Sequence, residues 1–342
     1  VDEGHADGDT LPDRGEQALL TLSEEPPPPP PPVSLERRDP ESIRVLTWNV
    51  LFDGLFKRPA PFLRVLRALE PDIICFQELW THTSQEAADQ VSLALPDEHW
   101  HAAASGEGQI VSRYPIILEA SIDESDNYWV FIDLPDSLYA TDLSVINAHP
   151  PCCEKEAERQ RDLDGIAAWT RELVTEGGAL EPARGEPIDF DLPDGTPMVV
   201  AGDMNLVGGA DQVLTLTHGT ISDEGTFGPS FQPDWDGTPF ADARPRLAGA
   251  WENYTWRDAR SSFAPGRLDY IVYTDSVLEL ANAFVLETEL LPDETLKRYD
   301  LRRDDTRAAS DHLPVVADLS LVPSDRNAVT PADAPARTET AE

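Results

Sequence analysis

The sequence contains almost no lysine, and this shortage restricts what its surface can bind. Only Lys57, Lys155 and Lys297 occur among 342 residues, and arginine supplies the rest of the 26 basic side chains. There are 64 acidic residues, so the formal net charge is −38. Nucleic-acid-binding proteins usually present a basic surface, and this balance therefore argues against a generic nucleic-acid binder. Because salt screens the repulsion between surface carboxylates, we predict a protein adapted to high salt.

Cysteine is also scarce, with three residues and no C-x-x-C pair of the kind that holds zinc. Cys75 lies in an apolar run and is interpreted as a core residue rather than a reactive thiol. Cys152 and Cys153 are adjacent, which disfavours a simple bridge between them. No apolar run is long enough for a transmembrane helix, and the sequence has no lipidation motif.

Polar ends flank the part of the chain that has the composition of a folded domain. Residues 1–40 are acidic and include seven prolines from Pro26 to Pro32, which predicts a disordered tail with a stiff proline-rich spacer. Residues 323–342 predict a second disordered tail, so we expect residues 41–322 to form one folded domain and the protein to be a monomer. The spacer and a first residue other than methionine slightly favour an exported protein, and the compartment stays open.

Apolar runs and helical patterns alternate along residues 41–322. Runs dense in β-branched and aromatic residues predict strands at IRVLTWNVL, PDIICFQE, YWVFIDL, TDLSVINAH, TPMVVAGDMN, RLDYIVYT and LPVVADLSL. Helical spacing predicts helices at PFLRVLRALE, at SQEAADQVSLAL with Ser84 as its cap, and at EKEAERQRDLDGIAAWTRELV. Many strands with interspersed helices predict an α+β domain, with two sheets and helices outside them.

Polar side chains stand at the ends of these predicted strands. Each one has an ordinary explanation by itself, such as a turn or a helix cap. Their repetition on separate strands favours an active site, because strands hold side chains rigidly while loops admit the substrate. The residues are Asn49, Glu78, His149, Asp203, Asn205, Asp269, Asp311 and His312.

These residue types are suited to the hydrolysis of phosphate esters. Asparagine and carboxylate oxygens are hard ligands that suit Mg²⁺, Mn²⁺ or Ca²⁺ rather than zinc held by sulfur. His149 and His312 are candidates for proton transfer or for stabilising a developing oxyanion. Asp269 is a candidate for fixing a histidine tautomer by accepting its ring N–H. A metal, proton-transfer groups and an asparagine donor together predict phosphate-ester hydrolysis.

The order of the motifs is typical of a known family. LTWNVL, DIICFQEL, VINAHPP, VVAGDMN, RLDYIVY and SDHLPV, spread over residues 43–320, resemble the endonuclease/exonuclease/phosphatase superfamily. These are metal-dependent hydrolases related to pancreatic deoxyribonuclease, and GDMN paired with SDHLP is the most specific part of the resemblance. The resemblance implies a four-layer α/β/β/α sandwich, in which helices flank two packed mixed sheets.

The resemblance also implies a metal site. Asn49 and Glu78 would bind the metal, with Asp311 as a further ligand or a near neighbour. The expected ion is Mg²⁺ or Mn²⁺, with Ca²⁺ as an alternative.

The remaining residues receive roles in catalysis from the same resemblance. Asp203 would activate or orient the attacking water, while Asn205 and His149 would contact the scissile phosphate. His312 would stabilise the transition state or transfer a proton, with Asp269 orienting it. A histidine at the end of the VINAH strand is similar to the deoxyribonuclease, sphingomyelinase and inositol-polyphosphate phosphatase branches, rather than to the apurinic-site endonucleases.

The predicted function is therefore metal-dependent hydrolysis of a phosphate mono- or diester by an activated water. A divalent-metal-dependent endo- or exonuclease acting on DNA or RNA is the alternative, ranked second because the net charge opposes a polyanion. We interpret Arg113 and Arg267 as structural or rim residues rather than DNA contacts. A sphingomyelinase-like lipid phosphodiesterase and a non-catalytic binding protein rank lower still.

A long insert precedes the RLDYIVY strand, between Gly208 and Arg267, and it is rich in aromatic residues. Trp251, Tyr254 and Trp256 either contact a substrate base or lipid tail, or anchor the irregular loop to the core. The sequence leaves these alternatives open.

Overall fold

The computed structural model describes residues 34–122, 126–175, 179–180, 182, 185, 187–190, 192–207 and 210–322. Residues 1–33 of the predicted 1–40 tail, including the proline-rich spacer, and the predicted tail at 323–342 lie outside these residues. No helix in the described part of the chain is both long enough and apolar enough to span a membrane.

Strands and helices alternate along the described chain. The strands are β1 Ile43–Asn49, β2 Ile73–Gln77, β3 His101–Ser105, β4 Gly108–Ser112, β5 Ile116–Ser121, β6 Tyr128–Ile132, β7 Leu143–Ala148, β8 Ala179–Leu180, β9 Ile188–Asp189, β10 Met198–Asp203, β11 Ala241–Asp242, β12 Arg246–Leu247, β13 Asp269–Tyr273, β14 Leu278–Val285 and β15 Val315–Leu321. The helices are α1 Gly54–Lys57, α2 Pro59–Leu69, α3 Ser84–Ala94, α4 Glu156–Val174, α5 Ala210–His218, α6 Glu224–Phe227, α7 Asp293–Arg298 and α8 Asp305–Ala309, with a 3₁₀ turn at Thr288–Leu290.

Two mixed sheets form the centre of the fold. One has the strand order β12-β14-β15-β1-β2-β4-β3, and the other has the order β11-β13-β10-β7-β6-β5. Strands β1 and β2 run parallel, as do β7 and β10, while most other neighbours are antiparallel. The predicted α+β sandwich with two mixed sheets and flanking helices is therefore confirmed.

The alternation of side chains along each strand decides which layer each residue joins. In β1, Val45 packs between the two sheets, whereas Leu46 and Trp48 pack on the side of the helices. In β10, Val199 and Ala201 point between the sheets. By the same alternation, Asn49 and Asp203, which are the last residues of β1 and β10, lie in the layer between the two sheets.

Three apolar layers hold the sandwich together. Helices α2 and α3 pack on the outer face of the first sheet, the two sheets pack on each other, and α4 and α5 pack on the outer face of the second. Cys75 lies fully buried between the sheets, which confirms its interpretation as a core residue. Burial also raises the pKa of the Cys75 thiol far above its usual range.

All seven predicted strands and the three predicted helices are present. Ser84 is not the cap of α3, because the preceding Thr83 accepts the backbone N–H of Glu86 and Glu86 accepts that of Thr83. This reciprocal capping box satisfies two unpaired donors, whereas Ser84 is already the first helical residue. Strands β3, β4, β5 and β14 and the two-residue strands β8, β9, β11 and β12 were not predicted.

Candidate active site

The direction of the strands brings the polar strand ends to one edge of the sandwich. The parallel strands β1 and β2 end at Asn49 and just before Glu78, and the parallel strands β7 and β10 end at Ala148 and Asp203. Strands β13 and β15 run antiparallel to β10 and β1, so their first residues reach the same edge. Asp269 is paired with Asp203 across β13 and β10.

Asp203 lies at the centre of the candidate site and is almost fully buried. Its Oδ2 accepts a hydrogen bond from Nδ2 of Asn49 at 3.1 Å. The same oxygen is 3.4 Å from Nε2 of His149 and 3.5 Å from Nε2 of His312. Burial alone would raise the pKa of Asp203, but the two histidines and the Asn49 amide outweigh it and lower that pKa below its usual range. Asp203 is therefore ionised at neutral pH.

His312 is held by a second carboxylate on the side away from Asp203. Its Nδ1 lies 3.0 Å from Oδ2 of Asp269, which is fully buried. Burial lowers the pKa of His312, but Asp269 and Asp203 more than offset this and raise the pKa to about 9. Burial raises the pKa of Asp269 despite the neighbouring His312. Asp269 is thus in contact with a ring nitrogen of His312, and its role in fixing the tautomer stays a prediction.

His149 has the same arrangement through a residue that the sequence analysis missed. Its Nδ1 pairs with Oε1 of Glu107, a fully buried carboxylate in the turn between β3 and β4. Burial lowers the pKa of His149, but Glu107 and Asp203 outweigh it and hold the pKa well above its ordinary value. Two histidines, each paired with its own buried carboxylate, therefore face the shared carboxylate of Asp203.

Asn49 and Glu78 lie side by side at the open end of β1 and β2. Nδ2 of Asn49 is 3.0 Å from Oε1 of Glu78, and Oε2 of Glu78 accepts the backbone N–H of Phe52. Glu78 has a φ of 65°, a left-handed conformation that is uncommon outside glycine and clusters at functional sites. This backbone turns the carboxylate toward the amide of Asn49.

The donor set of Asn49 and Glu78 fits a hard divalent cation. A cation there would be held by the carboxylate of Glu78 and by Oδ1 of Asn49, because the atom 3.0 Å from Oε1 of Glu78 is the amide nitrogen of Asn49, which does not bind metals. Asp203, Asp269 and His312 also offer ligand atoms within 4.8 Å of one another. The raised pKa of His312 keeps that ring protonated at neutral pH, which opposes a cation there. The Asn49–Glu78 pair is therefore the better candidate.

Asp311 lies near this site but is held by the insert before β13. Its Oδ2 accepts a hydrogen bond from Nε1 of Trp256 at 3.1 Å, and its backbone oxygen accepts the N–H of Arg257. Tyr254 is bound in turn to Glu287. The hydrogen bonds of Trp256 and Tyr254 anchor the loop to the rest of the fold. This favours the anchoring role of these two residues over contact with a substrate. The role of Asp311 as a metal ligand stays a prediction.

Asn205 reaches the loop that follows His149. Its Nδ2 donates to the backbone oxygen of Pro150 at 3.0 Å, and its own N–H donates to Oδ1 of Asp203. Further along this loop Cys152 and Cys153 are joined as a disulfide, contrary to the expectation from their adjacency. Cys153 accommodates this by adopting a positive φ of 63°.

Two partly buried arginines near the motifs pair with carboxylates of the fold. Arg113 lies 2.8 Å from Asp72, and Arg267 binds Asp242 through both terminal nitrogens. These contacts fit the structural interpretation of both residues.

Fold and site together define a phosphoesterase-type α+β sandwich. A family model described as the Endonuclease/Exonuclease/phosphatase family matches residues 46–312. The chain therefore belongs to this family, whose members are hydrolases acting on phosphoester bonds.

Solved structures show the same fold at low sequence identity. An endonuclease/exonuclease/phosphatase from Bacteroides vulgatus aligns with a TM-score of 0.53 and 18% identity, covering 82% of this chain and 99% of that chain. ANGEL2, a 2′,3′-cyclic phosphatase, aligns with a TM-score of 0.51 and 15% identity, covering 81% and 95% of the respective chains. No curated protein sequence matches the chain.

Proposed function

We propose that the protein is a metal-dependent phosphoesterase, which hydrolyses a phosphate mono- or diester by direct attack of water on phosphorus. The observation that carries this proposal is the position of Asp203 between His149 and His312, with the Asn49–Glu78 pair beside it. An ionised carboxylate, two protonated imidazoles and a hard-metal donor pair are the groups that such a reaction requires.

The protonation states of Asp203, His149 and His312 indicate the role of each side chain in the reaction. Asp203 is ionised and its pKa is low, so it orients the attacking water by accepting a hydrogen bond more readily than it removes a proton. His149 and His312 are protonated and place positive charge against the phosphate oxygens as negative charge develops. His312 is the acid candidate, because Asp269 fixes its ring and leaves Nε2 facing the site.

The reaction forms one bond between the water oxygen and phosphorus, breaks the bond from phosphorus to the ester oxygen, and leaves the proton of the attacking water on a phosphate oxygen of the product. A protonated imidazole supplies the proton that the departing alkoxide needs. A divalent cation held by Asn49 and Glu78 would supply Lewis-acid stabilisation of the phosphate.

Asn205 completes the site as a neutral donor. Its amide is 6% exposed and is fixed by Pro150 on one side, while its backbone is fixed by Asp203. A preorganised amide of this kind binds a phosphate oxygen at little entropic cost.

A substrate panel tests this proposal and ranks the alternatives. Plasmid DNA, a bis-aryl phosphodiester, an aryl phosphomonoester, sphingomyelin and inositol polyphosphates are each incubated with Mg²⁺, Mn²⁺ or Ca²⁺ at low and high salt. We expect metal-dependent turnover of a small ester that Asp203→Asn reduces at least a hundredfold and that Asp97→Asn, at an exposed carboxylate, leaves intact. Cleavage of DNA far above all other substrates would replace the proposal with the nuclease alternative.

A further inference from the structure

Two exposed aromatic side chains flank the candidate metal ligand Glu78. Phe52 is 60% exposed and Trp80 is 54% exposed, although the residues next to them, Asp53 and Leu79, are buried. Large aromatic side chains normally gain about 1.5–3 kcal/mol by leaving water. Because the neighbouring Asp53 and Leu79 are buried, the two aromatic side chains are exposed on a backbone that is itself well packed.

The loops that carry the two rings are joined by four hydrogen bonds. The N–H of Asp53 donates to the backbone oxygen of Glu78 at 2.8 Å, and the N–H of Phe52 donates to the Glu78 carboxylate at 2.9 Å. Thr81 donates its N–H and its hydroxyl to the carboxylate of Asp53 at 3.1 and 3.0 Å. Phe52 and Trp80 are thus carried by adjoining backbone that is joined at Glu78.

The loop that carries Phe52 has a backbone conformation that its residues disfavour. Leu51, Phe52 and Asp53 have φ values of 52°, 50° and 59°, the left-handed region that non-glycine residues rarely occupy. Such conformations cost roughly 1–3 kcal/mol each and persist where the surrounding contacts impose them. Here the imposed turn presents Phe52 to solvent beside Glu78.

We propose that Phe52 and Trp80 form an aromatic subsite that binds a flat aromatic group esterified to the phosphate. The inference rests on the proposed phosphoesterase function and names the class of substrate for the same site. A ring placed against one or both side chains gains stacking and burial while its phosphate reaches Asn49 and Glu78.

The polar groups next to the two rings favour a single ring over a lipid surface. The carboxylate of Glu78 accepts the backbone N–H of Phe52, and the exposed polar Thr81 follows Trp80. Membrane docking requires a broad apolar face, usually with basic residues that attract the headgroups. Lysine is nearly absent from this chain and its net charge is −38.

A pair of non-hydrolysable anions tests the subsite without any turnover. Phenylphosphonate and methylphosphonate carry the same anionic group and differ in the ring alone, and their dissociation constants are measured by calorimetry with Mg²⁺. We expect the native protein to bind phenylphosphonate at least tenfold more tightly. The double variant Phe52→Ala/Trp80→Ala should lose this preference and keep its affinity for methylphosphonate within twofold.

A matched variant controls for the loss of exposed apolar surface. Leu138 is 61% exposed and lies in the loop before β7, at the opposite end of the strand from His149. Leu138→Ala should keep the full preference for phenylphosphonate, and thermal unfolding checks that all variants are folded. Equal binding of the two anions by the native protein, or a preference that survives the double substitution, would overturn the subsite.

Turnover experiments separate this inference from the proposed function and identify the source of the ring. A preference for phenylphosphonate without hydrolysis of any ester would reject the phosphoesterase function and retain the subsite. If the double variant loses activity on a dinucleotide more than on an aryl phosphodiester, the natural ring is a nucleobase, and the reverse result indicates a simple aryl ester. Binding to phosphatidylcholine vesicles that needs both rings, without a phenylphosphonate preference, would overturn the subsite in favour of a lipid surface.

Discussion

The carboxylate of Glu107 connects His149 to the backbone of the candidate metal ligand. Its Oε1 pairs with Nδ1 of His149, and its Oε2 accepts the backbone N–H of Glu78. Glu107 is itself fully buried, so one residue fixes both a phosphate-facing ring and the left-handed turn that directs Glu78. This link couples the two halves of the site, because each half stands on a different sheet.

Glu107→Gln should therefore reduce kcat by about 10- to 100-fold while leaving the fold intact, the range seen when a buried partner of a functional histidine is changed. The amide keeps an acceptor oxygen but removes the negative charge that raises the pKa of His149. NMR titration of the histidine rings should show the pKa of His149 falling. An unchanged pKa of His149 would contradict the assigned pairing, even if activity were lost.

The glycine of the GDMN motif has a steric requirement that can be tested separately. Gly202 has a φ of 153°, and a Cβ at this position would meet the backbone oxygen of Ala148 at 1.9 Å. Gly202→Ala must push β10 away from β7, and we expect a loss of several kcal/mol in the free energy of unfolding. Urea unfolding followed by circular dichroism measures this.

Gly165 in α4 supplies the control for that substitution. A Cβ there would meet only Cε1 of Phe227 at an ordinary 3.7 Å. Since alanine favours a helix by up to about 1 kcal/mol over glycine, Gly165→Ala should preserve or raise stability. If Gly202→Ala were equally well tolerated, the close approach of β10 to β7 would not be a constraint.

Glu78 and Asn49 should dominate metal affinity. Glu78→Gln removes the one charged donor of the pair, so we expect the dissociation constant for Mn²⁺ to rise at least tenfold. Electron paramagnetic resonance titration of free Mn²⁺ measures this without substrate. Asp269→Asn serves as the comparison and should affect Mn²⁺ binding much less. The opposite ranking would place the cation among Asp203, Asp269 and His312 instead.

Most of the site could be predicted because its residues follow strands with a clear apolar pattern. Asn49 and Asp203 continue the alternation of β1 and β10, and the antiparallel partners carry Asp269 and His312 to the same edge. Side-chain periodicity therefore contains the information on these positions.

Glu107 could not be found in this way, because it lies in the short turn Ser105–Gly108 that connects two strands the pattern did not predict. Strand β3, with the sequence HAAAS, contains no β-branched residue, so it offers no strong strand signal. The helix cap at Thr83 could have been predicted from its spacing to Glu86. The Cys152–Cys153 disulfide depends on a local backbone conformation that the adjacency of the two residues does not reveal.

The raised pKa of His312 predicts that the metal-free protein loses stability as the pH rises. Its folded pKa of about 9 exceeds the ordinary 6.5, so the folded state binds the proton more tightly than the unfolded chain. The stabilisation is fully present below about pH 6.5 and is lost as the pH rises through 9. His149 is raised in the same direction and adds to the effect.

Thermal unfolding in the presence of a chelator should therefore show a midpoint that falls between pH 6.5 and 9.5. His312→Gln should flatten this dependence, because glutamine can be held by Asp269 but does not titrate. The lowered pKa of Asp203 changes the stability of the fold only at acidic pH, below this range. A midpoint independent of pH in the native protein would contradict the protonated state assigned to His312.

The excess of carboxylates predicts that salt stabilises the fold. A net charge of −38 creates repulsion that is screened when the Debye length falls from about 10 Å at 0.1 M salt to about 3 Å at 1 M. Buried pairs such as Arg44–Asp318 are shielded from solvent and should respond little. We therefore expect the unfolding midpoint to rise by several degrees between 0.1 and 2 M KCl.

A charge-reduced variant separates screening from general effects of salt on apolar surface. Exposed carboxylates remote from the site are neutralised together, at Asp89, Asp97, Asp136 and Glu294. This variant should unfold at a higher temperature than the native protein in 0.1 M KCl, and its midpoint should rise less with added salt. An equal rise in both proteins would assign the salt response to apolar burial rather than to charge. A flat response in the native protein would reject salt adaptation altogether.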